Sequence, residues 1–179
     1  HEGLLRIAEA ALVPPSPEGV EGDINKFAIG AWRYTQEQPD LVGGGASNQV
    51  GAYLLTSYQL YHDAASGQGI AGFLTGGIAE GSTVQTDWDI EAGLVATGWV
   101  PHRPASEIGI GVALAHNSDE YKASTSPSDT VETSYELYYR DTVYNGITVQ
   151  PDVQYVVNPG TDPTIDNATL IGLRVDFNL

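Results

Sequence analysis

The chain has 179 residues, with 23 acidic against 7 basic side chains and a formal charge of −16. That balance argues against nucleic acid, whose long phosphate backbone needs many basic partners. There are no cysteines, which removes disulfides, thiolate metal sites and a cysteine nucleophile.

Nine strand-like segments follow one another, each about ten residues long and bounded by turn residues. In chain order they are Leu4–Val13, Asn25–Thr35, Gln49–Tyr61, Gly69–Ala79, Thr86–Thr97, Glu107–His116, Val131–Asp141, Ile147–Val157 and Ala168–Leu179. The connections are rich in Pro, Gly, Ser, Asp and Asn, as in "QEQPDLVGGGASN" and "NPGTDPTID". No composition shift marks a second unit, so residues 1–179 read as a single all-β domain. No helix of convincing length is predicted, because Gly and β-formers interrupt each candidate. No run approaches the ~18 apolar residues of a transmembrane helix. The start, "HEGLLRIAEAALV", lacks the basic-then-apolar layout of a signal peptide and reads as the middle of a domain.

Within each strand, side chains alternate between faces. "TDWDIEAGLVA" sets Asp87, Asp89 and Glu91 on one face against Trp88, Ile90, Ala92 and Leu94 on the other. Val131, Tyr135, Leu137 and Tyr139 oppose Glu132, Ser134, Glu136, Tyr138 and Arg140; Val153, Tyr155 and Val157 oppose Asp152 and Gln154. Such alternation fits a soluble sandwich, whose apolar face is core, or a transmembrane barrel, whose apolar face meets lipid. Segment length favours the barrel, since ~9–11 residues match a tilted bilayer crossing and soluble strands average ~5–6. Aromatic placement agrees: Trp88, Tyr155, Tyr58, Phe27 and Phe177 fall towards strand ends, where an interfacial girdle belongs. Arg174 sits mid-strand, and an arginine facing lipid near the midplane costs ~2–4 kcal/mol. The charged face is therefore predicted to be the lumen.

The candidate site residues follow from that face. Asp87, Asp89 and Glu91 have the types of a glycosidase acid set, but strand alternation alone accounts for them as a solvated wall, where they would attract cations and hydrogen-bond hydroxyls. Glu132, Glu136, Asp152, Arg140 and Arg174 add charge to the same face, either opposed across a constriction or paired along the wall; Gln154 joins them. Trp32, Tyr53 and Tyr138 fall on the polar parity and offer rings that stack on sugars. Neither "NPGTDPTIDN" nor "NSDEY" has EF-hand spacing, although both concentrate the hard oxygens calcium takes. His1, His62, His102 and His116 are scattered singly, without zinc spacing. Neither a catalytic residue nor a cofactor is predicted.

The ending "ITVQPDVQYVVNPGTDPTIDNATLIGLRVDFNL" resembles the C-terminal signature of the OprB family of carbohydrate-selective outer-membrane porins, with its QPD, NPG and GLR elements in order. "KFAIGAWRYT", "GAYLLTSYQLYHD", "IAGFLTGGIA" and "DIEAGLVATGWVPHRPASEIGIGVALA" resemble successive upstream segments of that family. The resemblance implies a sixteen-stranded transmembrane barrel in the outer membrane of a Gram-negative bacterium, passing small carbohydrates by diffusion, with lipid as its other partner. This chain supplies about nine of those strands, so residues outside it, from the same parent protein or another chain, are expected to supply the missing N-terminal strands and complete the closure, and a homo-oligomer is a possible further partner. Counting back from a periplasmic last strand makes Gln36–Asn48, Glu80–Gln85, Asn117–Thr130 and Asn158–Asn167 extracellular. Two other classes share the strand pattern: an adhesive or structural outer-membrane β-protein, and a soluble carbohydrate-binding β-sandwich.

Overall fold

The computed structural model describes residues 3–18, 20, 24–125 and 128–178. His1 and Leu179 lie outside the described residues. Nine strands form one antiparallel sheet in sequence order: β1 (Leu5–Leu12), β2 (Lys26–Pro39), β3 (Ala46–Asp63), β4 (Gln68–Ala79), β5 (Thr86–Thr97), β6 (Glu107–Asn117), β7 (Val131–Tyr144), β8 (Ile147–Val157) and β9 (Ala168–Phe177). A six-residue helix, α1 (Asp119–Ser124), sits between β6 and β7. Thr86–Thr97 and Ile147–Val157 appear with their expected bounds, and the other seven expected segments appear with shifted ends. β2 and β3 run further than expected, to 14 and 18 residues, and meet at a turn whose Gly43 and Gly44 take positive φ.

Every neighbouring pair is a hairpin, so connections alternate between two ends of the sheet. One end carries residues 40–45, 80–85, 118–130 and 158–167, and the other carries 13–25, 64–67, 98–106 and 145–146. The tightest connection is Asn145-Gly146, with Gly146 at φ 77°. An Asn-Gly pair supplies the backbone twist a two-residue hairpin needs.

Among the described residues no second layer covers the sheet. Among the described residues, the buried hydrophobic core reduces to Ala28, while Ile171 is 83% exposed, Ile110 54% and Leu137 53%. A soluble sandwich must bury one face of each sheet against the other. A single sheet with its large aliphatic side chains uncovered does not fit that alternative. It does fit a wall with lipid on one side and water on the other, where both backbone ladders are satisfied between strands.

The register makes the faces continuous. One apolar rung runs Ile29–Leu54–Gly76–Ile90–Leu114–Thr133, and another runs Leu94–Ile110–Leu137–Val153–Ile171. A one-residue slip anywhere would turn these aliphatics to the charged side, so the register is strongly specified. Four register shifts interrupt it, at Arg33/Glu37, Gln59/Tyr61, Thr86/Trp88 and Thr142/Tyr144. Bulges of this kind re-aim a side chain. The one at Gln59/Tyr61 pairs Tyr61 with Ile70, and Tyr61 lies against Trp99 with ring centroids 6.2 Å apart.

At the end carrying the longer loops, buried polar side chains tie three connections together. Asn117 is 2% exposed, and its amide donates to Ser128 Oγ, to the Asp129 carbonyl and to Thr161 Oγ1 at 2.6 Å. Gln85 donates to the Asn117 carbonyl oxygen, and Ser118 Oγ donates to the Val84 carbonyl. In the outermost of these loops the Thr164 hydroxyl and amide both donate to Asp162 and hold its carboxyl below the usual carboxylate range.

Candidate functional site

On the polar face, large side chains stand opposite glycines. Tyr53 is the cross-strand partner of Gly30, Trp32 of Gly51, Phe73 of Gly93 and Tyr138 of Gly109. A Cβ added at Gly30, Gly93 or Gly109 would collide with the ring of its partner, and one at Gly51 would fall 2.5 Å from Trp32 Nε1. Each ring therefore lies flat along the wall rather than projecting from it. Flat rings offer their π faces to the space beside the sheet, the presentation that stacking requires. Two carboxylates use the same arrangement, Asp89 over Gly77 and Asp152 over Gly172.

The densest patch lies across β1 to β5. Tyr53 Oη donates to Glu9 Oε2 at 2.8 Å, and Lys26 Nζ stands 3.5 Å from Glu9 Oε1. Beside them Thr75 Oγ1 donates to Glu91 Oε2 at 3.3 Å. Trp32, Tyr53, Thr75, Asp87, Asp89 and Glu91 line one cavity of ≈ 360 Å³. That is the size range of a small-molecule site, with a ring surface, hydroxyl donors and carboxylate acceptors converging on it. The rungs beside the acids hold Gly77 and Ala115 at Asp89, and Thr75 and Ala113 at Glu91. No second carboxylate faces either acid from the adjacent strands, so the arrangement suits hydroxyl recognition rather than paired acid–base work.

Residues 25–179 match the model of the carbohydrate-selective porin family OprB. The chain belongs to the OprB family. It is 27% identical over 131 residues to Porin B of Pseudomonas aeruginosa, a match covering 64% of this chain and 29% of that protein. It also superposes on the high-pH structure of Pseudomonas putida OprB with a TM-score of 0.84 and 25% identity, covering 98% of this chain and 49% of that one. The chain thus spans about half the length of the solved relative and under a third of the curated one.

For an OprB-family sheet the polar face is the candidate functional surface, and the sequence-predicted residues distribute over it unevenly. Trp32, Tyr53, Asp89 and Glu91 meet in the cavity. Asp87 also lines it, but the bulge at Thr86/Trp88 takes it out of the ladder, and its carboxylate contacts His116 Nδ1 at 2.6 Å. The bulge thus brings the Asp87 carboxylate to His116 while Asp87 still lines the cavity with Asp89 and Glu91. Towards the β9 edge of the same face, Glu136 and Gln154 are direct partners, as are Tyr138 and Asp152. Glu132 accepts the Gly160 amide and anchors the 158–167 loop. Arg140 lies 3.9 Å from Glu107, and Arg174 lies 3.0 Å from Asp176 on its own strand. Among the described residues these arginines pair along the wall.

Glu9, Lys26, Thr75 and the glycines beneath the rings were missing from the sequence-level set. Glu9 belongs to a strand, Leu5–Leu12, with little polar alternation, and its role appears only when pairing brings Tyr53 beside it. The glycine seats were visible only as interruptions.

Proposed function

We propose that this chain supplies part of the wall of an outer-membrane channel through which small carbohydrates diffuse, without chemistry. The observation that carries the reading is the ≈ 360 Å³ cavity on the polar face, where Trp32 and Tyr53 lie flat beside Asp89, Glu91 and Thr75. A sugar passing such a wall exchanges water for ring contact and for hydroxyl bonds to carboxylates. Each contact is weak enough to release the sugar again. The names of the similar proteins, a carbohydrate-selective porin family among them, support the same substrate class.

Among the described residues the two edge strands, β1 and β9, do not pair with each other. β1 and β9 run in the same direction, since each of the eight pairings between them is antiparallel. Joining those edges directly, or to a second copy in the same membrane orientation, would create a parallel seam. An odd-numbered set of further strands keeps the ladder antiparallel throughout, and closure removes the unpaired edges that lipid does not tolerate. We place those strands in residues of the parent protein outside this sequence.

The test is conductance of the complete protein in a planar bilayer, with and without sugar. The expected result is a steady current that falls in a saturable way as neutral sugar is added. A current indifferent to sugar contradicts carbohydrate preference, and no current contradicts the channel.

A further inference from the structure

Two of the seven basic residues occupy the apolar face, opposite one another. Arg6 on β1 is the direct cross-strand partner of Arg33 on β2, and parity places both with Ile29, Ala31 and Val50 on the side away from the charged cavity. Like charges facing each other across a strand pair oppose pairing. Both residues are exposed. Arg33 donates to Asn48 Oδ1 at 2.6 Å, and among the described residues neither guanidinium forms an ion pair. Glu37, partnered with Asn48 beyond the Arg33 bulge, and Glu80, whose amide donates to the Val50 carbonyl on the arginine rung, are the acids near in register, and neither forms an ion pair with Arg33.

The next rung on the same face is Ala8–Ala31–Ala52–Ile78–Trp88. Three alanines, with Gly76 one rung further, leave a depression that Ile78 and Trp88 border, an apolar groove of ≈ 910 Å³. Trp88 stacks on His116 at 4.8 Å, an aromatic pair at the level where an interfacial girdle sits. The arginines lie one rung outside that level, and the groove lies inside it.

We propose that this is a binding site for a phosphate-bearing membrane lipid. The guanidinium forks take the headgroup phosphate, which planar bidentate donors match, and the groove takes an acyl chain. A phosphate between the two arginines also supplies the counter-charge that the pair lacks among the described residues. Free phosphate would use the arginines and leave the groove unfilled, whereas an amphiphile uses both. The inference rests on the reading above that the apolar face meets lipid.

The test is native mass spectrometry of the complete protein in detergent, offered a bisphosphorylated lipid A or the same lipid with its phosphates removed. The phosphorylated form is expected to be retained about tenfold more, the scale of one or two charge-assisted contacts. Arg6→Gln with Arg33→Gln should abolish that preference, Arg6→Lys with Arg33→Lys should keep part of it, and Ala31→Leu should lower retention of both forms. Equal retention of the two lipids by the unaltered protein overturns the proposal without needing any variant to fold. So do an undiminished preference in the double Gln variant, full displacement by millimolar inorganic phosphate, or a protein dimer forming in place of the lipid complex. Bilayer conductance of the same preparations separates the two readings. An unaltered protein that does not conduct fails as a channel, whereas a conducting protein without lipid preference fails only here.

Discussion

Leu137→Arg destabilises the inserted barrel by about 2–4 kcal/mol, while Glu136→Arg, one residue earlier on the same strand, costs under about 1 kcal/mol. Leu137 lies mid-strand on the apolar face, paired with Ile110 and Val153, and is 53% exposed. Where the apolar face meets lipid, as proposed above, a guanidinium loses its hydration without gaining a partner. Glu136 stands opposite Gly111 and Gln154 on the charged face, where a long cation has both water and space. Urea unfolding in vesicles, followed by the loss of tryptophan fluorescence or of protease resistance, reads the difference. Equal costs at the two positions would mean that the faces are not divided between lipid and water.

Trp32→Ala combined with Tyr53→Ala is expected to weaken sugar block of the channel current by about 1–3 kcal/mol, on the order of ten- to a hundredfold in sugar concentration. Each ring supplies one stacking surface, and each is held flat by the glycine opposite it. Tyr53→Phe keeps the ring and loses only the hydrogen bond to Glu9, so it is expected to retain most of the sugar affinity. Gly30→Val acts on the other side of the same pair. The added side chain collides with the Tyr53 ring and tips it off the wall, which should weaken block while the open-channel current changes little. A titration of current against sugar concentration measures all three variants. Block unchanged in the double variant would show that the rings are packing elements alone.

The strands were readable because alternation persisted from one to the next. Thr86–Thr97 and Ile147–Val157 emerge with their expected bounds, since one face of each is almost wholly apolar. What one strand cannot encode is which residue of the neighbour it meets. The glycine seats under Tyr53, Trp32 and Tyr138, and the bond from Tyr53 to Glu9, exist only in the pairing register. Bulges were equally hidden, because an extra residue in a ladder leaves the local composition unchanged. That is why Asp87, which alternates with Asp89 in the sequence, is drawn to His116. By contrast, α1 carried a signal that its shortness concealed. Ser118 caps it by accepting the Tyr121 amide, and Asp119 and Glu120 occupy its first turn, where the helix dipole favours acids.

The absence of cysteine from the chain makes single-cysteine chemistry clean, and the rate of modification along β5 tests the central claim most directly. Glu91→Cys and Ile90→Cys, each in the complete protein in a conducting bilayer, would be treated with a charged, water-soluble thiol reagent. If the polar face is the path of sugar through the membrane, the cysteine at 91 reacts quickly, lowers the current, and is protected by added sugar; the one at 90 does not react. Reaction at 90 with silence at 91, or reaction at 91 that sugar leaves unslowed, would contradict the account.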